Sequence, residues 1–309
     1  MTNISRLQLR AVRTLIFILA SSLAGYASVI GTFDRSYQVS GPVDLEVLTR
    51  SGDITVRNGA AGTVSIHAVI HASNSWFGGD HQAEARELQN NPPMHQNGNS
   101  IRIDYVNLNN ISIDYEITTP ENTAIRSHTG SGDQKLEGLK GNIDLESGSG
   151  DLKLAHLIGE MHFQTGSGDV RGRELSGPVR VKAGSGDVNI EEVGSAEVEV
   201  RTGSGNITVE GIGQGFHAET GSGDIHAKGL PRNMWSIHTG SGNVNLQVPS
   251  DAAFDVDIST SSGNVTLGHP VTTTVQGRIK ESRKSVAGKV RGGGPMISVH
   301  TGSGNVQVD

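Results

Sequence analysis

Apolar residues along most of this chain recur at every second position, in short runs that come in pairs. Leu152 and Leu154, Val188 and Ile190, Ile207 and Val209, and Val244 and Leu246 each bracket one polar residue. That is the period of a strand with one buried face. A second set follows each of these: Ile143 and Leu145, Met161 and Phe163, Val179 and Val181, Val198 and Val200, Trp235 and Ile237, with Lys153, His162, Arg180, Glu199 and His226 among the polar partners. Between the two runs of a pair stands one apolar residue: Leu139, Leu157, Leu175, Val193, Ile212 or Leu230. Each is expected to turn inward at a bend. The segments are too short and too often broken by glycine for helix.

What separates one pair from the next is a phrase. It is written three times in HTGSGDQKLEGLKGNIDLESGSGDLKLAHLIGEMHFQTGSGDV, His128 to Val170. The closing residue falls at Asp133, Asp151, Asp169, Asp187, Asn206, Asp224, Asn243, Asn264 and Asn305, at intervals of 18, 18, 18, 19, 18, 19, 21 and 41. A period near twenty is the mark of a solenoid. The last interval reads as two rungs, with one phrase lost inside an insertion. One rung cannot bury its own apolar face, so rungs must stack, each pairing its backbone with the next. The sequence therefore predicts an all-β chain: a single two-sheet β-solenoid of about 18–21 residues per rung, over residues 129–309. A basic insertion interrupts it near 268–295.

Turn chemistry accounts for the phrase. Gly130 and Gly132 stand where the chain reverses, and positive φ is expected at one of them, which glycine adopts freely. Ser131 and Asp133 are expected to accept hydrogen bonds from nearby backbone amides. Asp and Asn exchange between rungs, so the shared property is the side-chain carbonyl oxygen.

Residues 28–128 carry the pattern more loosely. Val43, Leu45 and Val47 alternate before Ser51-Gly52-Asp53 and Ile54-Thr55-Val56, and Thr63 to Ala72 reads as a strand. Asp80 to Gln89 predicts a short helix with Asp80 as its cap, and SIRIDY and ISIDYEITTP predict two strands ending at Pro120. This N-terminal β module is expected to cover the first repeat rung, whose strand edges would otherwise stand open. SGDITV, the helical insertion, IDYEITTPENTAIRSHTGSGD, the tandem rungs and the final GGGPMISVHTGSGNVQV together resemble a family of exported bacterial β-strand-repeat proteins known as putative adhesins, a domain of unknown function. The resemblance runs from Gly41 to Asp309. It implies a β-solenoid in the envelope or outside the cell, and no catalytic residues.

Composition agrees with many turns and a thin aliphatic core: 42 Gly, against 6 Phe, 4 Tyr and 2 Trp. A net charge of −7 argues against nucleic acid, whose phosphates require a dense basic face. The first 27 residues have the layout of a secretory signal: Arg6, Arg10 and Arg13, an apolar run from Leu15 to Ala24, then small residues to Ala27. Tyr26 stands where a lipoprotein box would carry its cysteine, and the chain has 0 Cys. Removal of residues 1–27 leaves no transmembrane span in this reading, and an exported protein of the periplasm, outer surface or medium.

Candidate chemistry is sparse. Asp133, Asp151, Asp169 and Asp187 could hold calcium between rungs, although the calcium repeat's own spacing is absent. Stacked carboxylates also resemble the pair of a glycosidase, but a catalytic pair needs two different environments and a ladder offers one. His128, His238 and His300 precede TGSG phrases on what the sequence places as distant rungs, too far apart for a zinc site. Trp76 and Phe77 make either a contact loop or part of the module's core. Arg278, Lys280, Arg283 and Lys284 belong to the one basic cluster, suited to acidic glycans or anionic headgroups. These features predict a noncatalytic adhesin-like scaffold or recognition surface of the cell envelope, with no cofactor and with a glycan or protein of the envelope as partner. The competing expectation is a polysaccharide lyase or hydrolase on a β-helix.

Overall fold

The computed structural model describes residues 28–72, 81–272 and 284–309. It consists of two long facing sheets, one 14-stranded and one 13-stranded, with one short helix. The alternating runs become the strands. In one rung, Ile143–Ser147 lies in the larger sheet and Leu152–Ile158 in the smaller. The next rung, Met161–Thr165 and Val170–Ser176, pairs with both in parallel, Ile143 beside Met161 and Leu152 beside Val170. This pairing repeats through the rungs that follow. Parallel neighbours can be this regular because successive strands of one sheet are separated by a near-constant length of chain, which crosses to the other sheet and returns.

The inward residues of the two sheets form one continuous core. It is mostly Ile, Leu and Val, with Trp235, Phe163, Phe216 and Phe254 among its largest buried side chains. Trp235 meets Phe216 edge to face at 5.8 Å and donates its indole N–H to the Gln214 carbonyl at 2.9 Å. The rung of Asp133 departs from the apolar rule in both sheets. Ser127 lies inward between Val47 and Leu145, and Gln134 between Ile54 and Leu152. Both are buried, and Ser127 Oγ and Gln134 Oε1 find no partner.

At the bends the expectation holds in part. Leu139, Leu157, Leu175 and Ile212 are buried, whereas Val193 is 57% exposed and Leu230 37%. The difference lies one residue earlier. Gly138, His156, Glu174 and Gly211 take positive φ, which folds the extra residue outward and turns the next one in. Glu192 and Gly229 do not. Glu192 therefore occupies the inward place beside Leu175, and Val193 faces out. The buried Glu192 carboxylate is satisfied by the N–H groups of Gly194 at 2.6 Å and Ser195 at 2.9 Å.

Both ends of the stack depart from chain order. Val43–Ser51 and Ile54–Asn58 form a rung that pairs directly with Thr123–Ser131 and Gln134–Glu137; the first of these strands crosses residue 128 without a break. The intervening chain closes the near end. Ile111–Thr119, Thr63–Ala72 and Ser28–Gln38 extend the smaller sheet, the last two pairings antiparallel, and Ser100–Ile103 and Met94–Asn97 extend the larger. The helix, Gln82–Asn90, packs on Ser28–Gln38 through Ala85 and Leu88 and through Gln89, which donates to the Thr32 carbonyl at 2.9 Å. Its first turn begins after His81; Asp80, the expected cap, lies outside the described residues.

At the far end, Met296–Ser303 and Val306–Val308 insert between the rung of Asn243 and the rung of Asn264. The 41-residue interval thus does not hide a lost rung. It is a return path, along which Ser285–Val290 pairs antiparallel with Phe254–Ser262 and covers that edge before the final rung is threaded back. Among the described residues no helix is long and apolar enough to cross a membrane.

Candidate functional surface

Stacking places the phrases of successive rungs over one another along one edge, and the threonine, glycines and Asx of Thr-Gly-Ser-Gly-Asp then each have a neighbour to answer to. The Asp151 N–H donates to Asp133 Oδ1 at 3.0 Å, Asp169 N–H to Asp151 Oδ1 at 3.0 Å, and Asp187 N–H to Asp169 Oδ1 at 2.9 Å. The series continues through Asn206, Asp224 and Asn243, then Asn305 and Asn264 in their spatial order. At the other end it begins with Asp114, which accepts from Asp53 N–H, and Asp53, which accepts from Asp133 N–H. The side-chain oxygen is what matters, as the sequence suggested, but its donor belongs to the next rung and not to its own turn.

The threonine makes a second ladder. Thr165 Oγ1 donates to the Gly150 carbonyl at 3.2 Å, Thr220 to Gly205 at 3.1 Å, Thr239 to Gly223 at 3.1 Å and Thr301 to Gly242 at 3.1 Å. The rung of Asp187 carries Ala183 at this position and lacks the bond. The glycines are required by close approach. A Cβ on Gly150 would overlap the Gly132 carbonyl oxygen, and one on Gly168 the Gly150 oxygen. Neither Gly130 nor Gly132 uses left-handed φ; in this position only the turns at Gly52, Gly263 and Gly304 do. Ser131, expected to accept backbone bonds, is exposed and takes no part in either ladder.

The candidate calcium ligands Asp133, Asp151, Asp169 and Asp187 are therefore adjacent, each with Oδ1 occupied by a backbone amide. The remaining oxygens of the first three face cations two residues along the chain or one rung over. Lys153 Nζ lies 2.7 Å from Asp133 and 3.9 Å from Asp151; Arg171 lies 3.4 Å from Asp151 and 2.6 Å from Asp169. Burial alone would raise the Asp133 carboxyl, but the hydrogen bonds from Lys153 and the Asp151 amide, with the lysine's charge, hold it below its ordinary value. The Asp133 hydrogen bond raises the Lys153 ammonium in return. The sequence matches this charge pairing. Lys135, Lys153 and Arg171 follow Asp133, Asp151 and Asp169, whereas Thr55, Asn189 and His226 follow Asp53, Asp187 and Asp224, so the pairing is confined to these three rungs.

The outer face of the larger sheet carries charges of both signs in register. Arg180 reaches Glu160 at 2.9 Å and Glu199 at 3.6 Å, and Arg201 reaches Glu199 at 2.8 Å and Glu219 at 3.4 Å. His128 pairs with Glu146 at 3.3 Å. His238 and His300, placed on distant rungs by the sequence, are register neighbours because the final rung inserts beside Trp235–Ser241; His128 stays far off. No group of three or more metal-ligating side chains converges among the described residues.

Trp76, Phe77, Arg278, Lys280 and Arg283 lie outside the described residues. Lys284 is described and donates to the Ser261 carbonyl at 3.0 Å, while Lys289 faces Asp255 at 3.9 Å. This part of the basic cluster is thus engaged with the terminal rung. The threonine ladder went unread in the sequence, although Thr129, Thr165, Thr202, Thr220, Thr239 and Thr301 precede the phrase at the repeat's own period.

A family model described as Toastrack DUF4097 matches residues 36–173 and again 157–309. No curated protein matches the chain. Among solved structures, a putative adhesin from Bacteroides fragilis is 13% identical, with 90% of this chain and 97% of that one covered and a TM-score of 0.42. A putative cell adhesion protein from Clostridium sporogenes is 12% identical, with 90% and 99% covered and a TM-score of 0.24. A putative adhesin from Parabacteroides distasonis is 9% identical, with 90% and 97% covered and a TM-score of 0.29.

Proposed function

The chain belongs to the Toastrack DUF4097 family, and on that premise we propose that it is a noncatalytic scaffold or recognition surface, exported to the cell envelope. The observation that carries this reading is the use to which the repeat puts its polar groups. The Asx oxygens bind the next rung's amides, the threonine hydroxyls bind the neighbouring rung's carbonyls, and the charges of Asp133, Asp151 and Asp169 are met by Lys153 and Arg171. Chemistry that would serve catalysis in another setting here fixes rung to rung, which suits a stiff platform. Its outer face displays Arg180, Glu199, Arg201 and Glu219 at the spacing of neighbouring strands, about 4.8 Å. Export rests on the layout of the first 27 residues, with basic residues, a short apolar run and small residues in order.

The test combines capture and turnover. Purified protein is immobilised and exposed to fractionated envelope polysaccharides and envelope proteins, and the same polysaccharides are assayed for new reducing ends and unsaturated sugars. Saturable capture without turnover is the expected result. Catalytic release of sugar would replace this reading with a carbohydrate-active enzyme.

A further inference from the structure

The bend edge, opposite the glycine turns, is the apolar edge of the rod. Ile158, Val193, Leu230, Met234 and Met296 lie along it, five of the seven large hydrophobic side chains exposed among the described residues. Around Leu230 it opens into a groove of about 490 Å³, floored by Ile212, Val248 and Pro249, with Lys228 and Arg232 on its rim. Among the described residues neither cation forms an ion pair, and neither do Glu191 and Glu197, two rungs back toward the N-terminal end. This contrasts with the larger sheet's outer face, where Arg180 and Arg201 each meet carboxylates.

The arrangement has a centre. Val193, Gly213 and Leu230 stand at the bends of three successive rungs, as the bonds from Val193 N–H to Leu175 and from Leu230 N–H to Ile212 fix. Val193 is a knob, 57% exposed, one rung before Gly213; Leu230, in the groove that Gly213 also lines, is one rung after it. Gly213 packs against Ser195 of the rung before, where a Cβ would have no room. Glu191 and Glu197 flank the knob, and Lys228 and Arg232 flank the groove. A two-fold interface requires a patch that is complementary to itself. A two-fold axis through Gly213 would seat each Val193 in the other copy's groove and set each acidic pair against the other's basic pair.

We propose that the bend edge is a two-fold interface between two copies of this chain, centred on Gly213. The claim does not depend on what the outer face binds. Unlike charges steer and select such an encounter, and like charges oppose it.

The experiment is a charge exchange followed by sedimentation velocity and light scattering. The purified protein is expected to sediment at twice the chain mass. Lys228→Glu/Arg232→Glu should weaken association at least about tenfold, since both contacts become acid on acid, and Glu191→Lys/Glu197→Lys should do the same with base on base. Mixed together, these two variants should pair with each other, because each supplies what the other lacks. All four positions are exposed, so circular dichroism and melting of each variant should match the parent. A monomeric parent at the highest soluble concentration overturns the proposal. So does a charge variant that dimerises as well as the parent, or a mixture that stays monomeric.

Discussion

Asp169 Oδ1 accepts the N–H of Asp187 at 2.9 Å, so a side chain in one turn completes the backbone of the next. Asparagine keeps that oxygen, as Asn206 does for Asp224 at 3.0 Å. Asp169→Asn is therefore expected to shift stability by less than about 1 kcal/mol, because the Arg171 pair it loses is exposed and worth little. Asp169→Ala leaves the Asp187 amide without its acceptor and should cost about 1–2 kcal/mol. Chemical denaturation of the two variants, with calcium and with chelator, checks this. A chelator that unfolds the parent would show that the carboxylates hold metal and would defeat the ladder account.

Gly168→Ala tests close approach directly. The new methyl would overlap the Gly150 carbonyl oxygen, and the rungs cannot separate there without breaking the ladder on either side. A loss of about 1–3 kcal/mol is expected, the range for overpacking a fixed structure. Gly98→Ala is the comparison. Its Cβ would meet nothing within 4 Å, and it carries only the strain of φ +60. If the two variants melt alike, stacking is not what keeps glycine in the phrase.

Ala183 marks a gap in the threonine ladder. Thr165 and Thr202, its register neighbours, both carry the hydroxyl. Ala183→Thr should donate to the Gly168 carbonyl as Thr202 does to Gly186 at 3.2 Å. A gain of about 0.5–1.5 kcal/mol is expected from one added hydrogen bond. The fold accepts threonine on both sides of this position, so a destabilised variant would mean that the hydroxyls are tolerated and do not stabilise.

How much of this could be read beforehand depends on the range of the interaction. The strand pairs, the rung period and the importance of the Asx oxygen follow from alternation and repeat, which are written along the chain. The bends do not. His156, Glu174 and Glu192 are all polar and precede an apolar residue, yet the first two take positive φ and Glu192 does not. That choice exposes Val193 and buries a carboxylate, and it is made by the register with Leu175 and by the loop amides of Gly194 and Ser195. Rung order at the far end is equally hidden. Asn305 follows Asn264 in sequence but precedes it in space, because Ser285–Val290 closes the edge first. The adjacency of His238 and His300 follows from that pairing alone.

The polar rung at Ser127 offers a stabilising change. Its hydroxyl is buried without a partner between Val47 and Leu145. Ser127→Val fills the column with a residue its neighbours already match and removes an unsatisfied group. A gain of about 1–2 kcal/mol is expected from the added apolar burial and the lost desolvation cost. Equal stability, measured by urea denaturation, would indicate that buried water already satisfies Ser127.

The Asp133–Lys153 pair gives the ladder a pH dependence. The Asp133 carboxyl is held below its ordinary value, so the stability it adds is present above that value and is lost as pH falls through the depressed one. The Lys153 ammonium is raised, so its share is present below its ordinary value and is lost as pH climbs through the raised one. Lys153→Met, which keeps the aliphatic stem, removes the lysine's share of both limbs, while the Asp151 amide still holds Asp133. Parent and variant should therefore differ most on the plateau between the ordinary carboxylate and ammonium values, and converge as pH falls through the depressed Asp133 value and as it climbs through the raised Lys153 one. Because both side chains are largely exposed, the plateau difference should be small and should shrink further in molar salt. Denaturation midpoints of the two proteins across that range decide it. A gap that persists unchanged at pH 2 would assign the effect of Lys153 to the packing of its stem over the sheet and not to its charge.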